Sequence, residues 1–172
     1  MFGTGAAAQI LGAVSDETIK VSPKKLPTHK AMITKMNEFE AVLGSMPGAK
    51  FGDDACPLKH TFADGLYIRQ MIAPKGMLNV SKLHKTTHPH FILEGEFSVL
   101  TEDGLVRVKA PYFGITKAGT KRIVYFHANT VWITIHPNPD NGTDLVKIEE
   151  RLIAKTFEEL PENIREKMIC RL

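Results

Sequence analysis

Cysteine is scarce in this chain: Cys56 and Cys170 are the only two, and they lie far apart. That excludes a disulfide framework and any paired-cysteine metal or redox motif, and it suits thiols kept reduced in a cytosolic setting. Cys56, followed by Pro57, reads as a small buried apolar residue. Charge of one sign is also lacking. With 22 Lys and Arg against 19 Asp and Glu, the net charge of +3 is too small to argue for nucleic-acid binding, and no basic run is interleaved with aromatics. No stretch approaches the ~20 apolar residues that cross a bilayer. Residues Met1 to Val14 are small and apolar, but no Lys or Arg precedes them, which argues against a secretory signal. Gly-x-Ser-x-Gly, His-Glu-x-x-His and a phosphate-binding glycine loop are all absent, so no familiar nucleophile or zinc-protease motif is present.

What is present suits one globular domain: 43% of the residues are apolar, enough to bury a core. Residues 1–30 read as an N-terminal arm and a Pro- and Lys-rich linker, the arm mobile or ordered against a partner chain. In residues 31–57, Met32, Met36, Phe39, Leu43 and Met46 form the stripe of an amphipathic helix that Gly44 and Gly48 end. Residues 58–155 change to short alternating segments. The expected strands are 65–73, 77–84, 90–100, 105–110, 113–116, 122–127, 131–136 and 144–153, the pattern of an all-β sandwich or barrel. Glu102-Asp-Gly104 signals a hairpin turn. Residues 156–172 read as a helical tail, opened by the capping-box pattern Thr156-Phe-Glu-Glu159 and restarted at Pro161.

Within the β region, three histidines fall close together: His84, His88 and His90. They share strand parity with Leu78, Val80 and Ile92, so they point where those apolar side chains point. Neutral imidazole is the commonest metal ligand. Imidazoles converging inside a β-structure make either a metal site or a polar ligand pocket.

The spacing around them resembles the first motif of the cupin superfamily, a fold of double-stranded β-helix (jelly-roll) barrels. Gly76, Lys82, His84, His88 and Gly95 stand at the motif's places, with Lys82 where the first His belongs and His88 where the Glu belongs. The second motif matches in part: Gly119 is kept, while Lys117, Arg122 and Phe126 replace its Pro, His and Asn. The segments 56–60, 62–67, 84–88, 118–122 and 130–137 further resemble small cupin-like proteins encoded by phages, over roughly residues 38–160. In those proteins Glu often stands where this chain has Thr87. The resemblance implies an all-β cupin barrel with an N-terminal helix and arm and a short C-terminal helical tail.

Two site chemistries stay open on this reading. One is a divalent ion (Zn, Fe, Mn or Ni) held by His84, His88 and one of His90 or His136, with an open position as in catalytic sites. Against it, protonated Lys82 and Arg122 cannot coordinate, and both repel a cation. The other is a metal-free pocket for a carboxylate or phosphate, with Lys82, Arg122, Arg69 and His136 as ligand-binding residues and Trp132 and Tyr125 as stacking faces. Lys121 lies on the opposite strand face from Arg122, so one of the two at most points inward. His60 closes the site from the preceding segment or sits on the surface; His127 ranks lower, and His29 falls in the linker. The expected function is binding of a small anionic molecule, sequestering a host metabolite or nucleotide signal. A metal-dependent isomerase, oxygenase or hydrolase and a virion component are the alternatives. The expected setting is the cytoplasm, of an infected bacterium if the gene is a phage's, or the virion. The expected partners are a small-molecule ligand and a second copy of the chain, a dimer or higher homo-oligomer, with no membrane and no nucleic acid.

Overall fold

The computed structural model describes residues 7–9, 29–51, 54–101 and 104–169. The described residues form twelve strands: β1 (Ala7–Gln9), β2 (Leu58–Ala63), β3 (Leu66–Ala73), β4 (Met77–Val80), β5 (Leu83–His84), β6 (His88–Glu94), β7 (Glu96–Thr101), β8 (Gly104–Lys109), β9 (Tyr112–Thr116), β10 (Ile123–Phe126), β11 (Thr130–Pro137) and β12 (Ile153–Ala154). The helices are α1 (His29–Ser45), α2 (Leu145–Leu152) and α3 (Glu162–Ile169). Two five-stranded antiparallel sheets, ordered β1-β4-β10-β7-β8 and β2-β3-β11-β6-β9, face each other, and a two-stranded piece joins β12 to β5. Sequence neighbours β6 and β7 lie in opposite sheets, as do β10 and β11. This alternation makes a jelly-roll barrel, the cupin-type architecture expected. Its core is built from Met77, Ile92, Phe97, Val124, Phe126 and Trp132.

A hairpin turn is expected at Glu102-Asp-Gly104; β7 and β8 pair antiparallel with Thr101 opposite Gly104, and Glu102 and Asp103 lie outside the described residues. Three expectations are corrected. Residues 144–153 form α2 rather than a strand, because the Asp144 carboxylate accepts from the Val146 and Lys147 N–H groups and caps a helix. Leu145, Ile148 and Leu152, spaced three and four apart, then pack towards Tyr67. Strand β2 falls in a segment given no strand. Its barrel-edge position accepts a mixed Leu58-Lys-His-Thr61 sequence.

The third correction concerns α1. Its buried residues are Ile33, Met36 and Leu43, a stripe rotated by one residue at its start from the one expected. Ile33 meets Leu83, Phe157 and Leu160, while Leu43 meets Val80. Ile33 and Leu43 are thus covered within the same chain, while Phe39, Val42 and Met46 stay exposed. Of the arm, the described residues Ala7–Gln9 form β1 and pair with β4 of the same chain. The rest of the arm, and Cys170, lie outside the described residues. No described helix is long and apolar enough to cross a membrane.

Candidate functional site

Strand pairing stacks the inward side chains of β3, β11, β6 and β9 in rows. Tyr67 is opposite His136, Arg69 opposite Thr134, and Met71 opposite Trp132. Thr134 is in turn opposite His90, and His88 opposite Thr116. The interior of this sheet is therefore unusually polar. His84 enters from β5, which is held between β12 and the 117–120 turn: Gly119 N–H donates to the His84 carbonyl at 2.7 Å.

Three imidazoles meet at one end of the barrel. Ring centroids are 4.6 Å apart for His84 and His88, 4.2 Å for His88 and His136, and 6.0 Å for His84 and His136. His88 Nδ1 donates to the Thr86 carbonyl at 3.1 Å, which leaves Nε2 as the acceptor. His136 Nε2 is 3.0 Å from the Thr134 hydroxyl. The Nδ1 atoms of His84 and His136 are buried with no hydrogen-bond partner. His90, expected with His84 and His88, stands apart from them. It packs at 5.4 Å from Trp132 and 6.0 Å from Tyr112, and its Nδ1 is 3.2 Å from the Thr116 hydroxyl. Arg122 Nη1 donates to that hydroxyl at 3.0 Å, so the Thr116 O–H is directed on to His90.

Burial holds all four imidazoles neutral. It pushes His88 and His90 down to about 4 and His136 to about 2, and it lowers His84 well below the usual range. The charges of Arg69 and Arg122 add to the lowering at His84 and His88. Those guanidiniums would repel a divalent cation by the same Coulombic effect. Among the described residues no three His, Cys, Asp or Glu side chains are arranged to hold a metal ion. His90 thus stands apart from His84 and His88, and His136 takes the place beside them.

A cavity of about 70 Å³ lies against the cluster inside the barrel. Arg69, Lys82, Arg122, His84, His88 and Trp132 are among its walls, and among the described residues no Asp or Glu is. A second space of about 50 Å³ lies beneath α2, shares Arg69, Lys82 and His84 with the first, and adds His60, Tyr67 and His136. His60 Nδ1 is 2.7 Å from the Tyr67 hydroxyl, and the Tyr67 ring stacks 5.9 Å from His136. The sequence reading had not singled out Tyr67 or the α2 residue Glu149, which forms an ion pair with Lys82. The Asp144 cap was the local signal that would have found α2. Lys121 turns outward to an ion pair with Glu40 of α1, which leaves Arg122 as the inward cation of the two.

Tyr125 is corrected. Val124 and Phe126 occupy the buried parity of β10, so Tyr125 faces outward, edge-on to His127 at 5.0 Å. His127 meets the Ser98 hydroxyl on that same outer side. His29 opens α1, with Nε2 3.1 Å from the Gly119 carbonyl.

No protein-family model and no curated protein sequence matches the chain. Solved structures do. The protein NMB1881 from Neisseria meningitidis is 10% identical over 47% of this chain and 83% of its own, with a TM-score of 0.42. The EutQ protein of Clostridium difficile is 13% identical over 56% of this chain and 86% of its own, with a TM-score of 0.41. A cupin-2 domain protein from Shewanella frigidimarina is 10% identical over 46% of this chain and 80% of its own, with a TM-score of 0.39. At these values the likenesses carry no argument about activity. The fold rests on the strand order above.

Proposed function

We propose that the barrel binds a small anionic molecule, carboxylate- or phosphate-bearing, at Arg69 and Arg122. One observation carries the reading: the cavity wall gathers Arg69 and Arg122, with Lys82 paired to Glu149 at its edge, beside imidazoles that stay neutral. A guanidinium fork matches a planar carboxylate or a phosphate. The buried Nδ1 atoms of His84 and His136 then supply hydrogen bonds to the ligand's remaining polar atoms. Trp132 and Met71 form an apolar wall for a short hydrocarbon portion.

Size narrows the class. One water occupies roughly 10–15 Å³ on this scale, so 70 Å³ takes a handful of heavy atoms. A nucleotide belongs to pockets of roughly 300 Å³ or more, which weighs against the nucleotide signal considered from sequence. Short carboxylates and inorganic phosphate fit. The resemblance to phage proteins supports sequestration of such a host metabolite as the biological role.

Calorimetric titration with acetate, lactate, malonate and phosphate tests the proposal. Arg122→Leu removes a charged hydrogen bond worth roughly 1.5–3 kcal/mol, so affinity is expected to fall about ten- to a hundredfold. If no member of the panel binds the unmodified chain, or if Arg122→Leu binds equally well, the assignment fails. Glu149→Gln should act the other way. It releases Lys82 from a half-exposed ion pair worth at most about 1 kcal/mol of stability and adds positive potential at the cavity, so affinity for the same anion rises severalfold.

A further inference from the structure

We infer that the anion this barrel takes is a short hydroxy acid whose hydroxyl donates to His88; the inference rests on the anion site proposed above and narrows its ligand. The walls of the 70 Å³ cavity divide by hydrogen-bonding sense. Arg69, Lys82 and Arg122 can only donate. The hydroxyls among the walls have mostly spent their protons elsewhere. Thr116 accepts from Arg122 Nη1 and turns its own proton to His90 Nδ1. Ser81 accepts from the Arg122 backbone N–H at 2.9 Å and donates to the Lys82 carbonyl at 3.2 Å. The Thr134 hydroxyl lies between His136 Nε2 and the Arg69 carbonyl, and its one proton goes to either of these.

His88 is the fixed acceptor. Its Nδ1–H is held by the Thr86 carbonyl, which cannot donate, so Nε2 carries a lone pair. Nε2 is at the far tip of a side chain that β6 directs into the barrel, and the residue is 2% exposed. Burial and the neighbouring Arg69 and Arg122 keep the ring neutral. From β4, in the facing sheet, Asn79 adds an Oδ1 that is buried with no partner. Thr120 and His84 can serve in either sense.

A buried acceptor left without a donor loses its hydration for nothing in return. The ligand that suits these walls therefore brings a proton as well as a negative charge. An ammonium would bring one, but it would sit against two guanidiniums. A keto oxygen brings only lone pairs, which His88 Nε2 repels. A hydroxyl is the neutral donor that remains. At roughly 10–15 Å³ per water-sized site, the 70 Å³ cavity takes about five to seven heavy atoms, the size of glycolate or lactate. With the carboxylate on the guanidiniums, the hydroxyl on His88 and the methyl group on Trp132 and Met71, lactate is held at three fixed points, so one enantiomer is favoured.

Calorimetry with L-lactate, D-lactate, pyruvate and propionate tests the inference, because these acids are close in size and differ at the carbon beside the carboxylate. One lactate enantiomer is expected to bind about tenfold or more tightly than pyruvate or propionate. His88→Phe, which keeps a ring and loses the acceptor, should bring the ratio of lactate to propionate affinity close to one. Nitrogen NMR of the unmodified chain needs no variant: His88 Nε2 should carry no proton in the free protein, and its signal should shift with lactate and not with propionate. Equal binding of all four acids, or a protonated Nε2 in the free protein, would overturn the hydroxyl assignment and leave the anion site standing. Binding of none of them would remove the anion site and this inference with it.

Discussion

Lowering the pH from 7 towards 4.5 should remove several kcal/mol of stability and unfold the barrel, with the ligand absent. His84, His88, His90 and His136 are buried and neutral, with folded-state values pushed below the ordinary 6.5. In the unfolded chain they titrate near 6.5. Below that pH the unfolded state binds protons that the folded state refuses, so stability is fully present above 6.5 and is lost as pH falls towards the folded values. Each unit of difference is worth about 1.4 kcal/mol per group. For His88 and His90 the loss is spread between pH 6.5 and about 4. Several such groups together rival the roughly 5–15 kcal/mol that holds a domain folded. Urea unfolding at closely spaced pH values measures this. A free energy that stays flat from pH 7 to 4.5 would show that the imidazoles are not buried neutral as described.

Gly95→Ala should cost about 3 kcal/mol or more, whereas Gly65→Ala should cost about 1 kcal/mol. Both glycines adopt left-handed backbone, with φ +99° and +75°. Their surroundings differ. A Cβ on Gly65 meets nothing within 4 Å, so only the conformational strain is added. One on Gly95 falls 2.5 Å from the Asn129 carbonyl oxygen and 2.6 Å from Thr130 Cα, backbone atoms that can move only if the start of β11 moves. That strand carries His136, Thr134 and Trp132, so the damage would reach the site. Thermal unfolding of the two variants compares them. Equal small losses would mean that the turn at Gly95 is looser than its contacts imply.

Much of the fold was legible because its signals are local. The period-2 pattern of β6 and β11 and the spacing of Gly76, Lys82, His84, His88 and Gly95 placed the barrel and its histidines. What escaped was decided by distant partners. Parity put His90 with His84 and His88, but β11 lies between β3 and β6, and that non-local order brings His136 to the pair and leaves His90 beside Trp132. On α1 the choice between the Met32 and Ile33 phases depended on where Leu83 and Phe157 would lie. At α2 the helical signal was local, in Asp144 and the three-four spacing of Leu145, Ile148 and Leu152, and the alternating reading overrode it. The outward Val131, Ile133 and Ile135 look like core in a one-dimensional pattern. Only the pairing of β11 with histidine-bearing neighbours shows that the polar side faces in.

The most direct measurement of the central claim is crystallographic. Crystals grown in sodium bromide, with anomalous data collected at the bromine edge, would locate an anion by element. The expected result is a bromide peak inside the barrel, within hydrogen-bonding reach of the Arg69 and Arg122 guanidiniums and beside His84, that disappears in Arg122→Leu. A barrel without bromide, or a transition-metal peak among His84, His88 and His136 in protein purified without chelator, would contradict it.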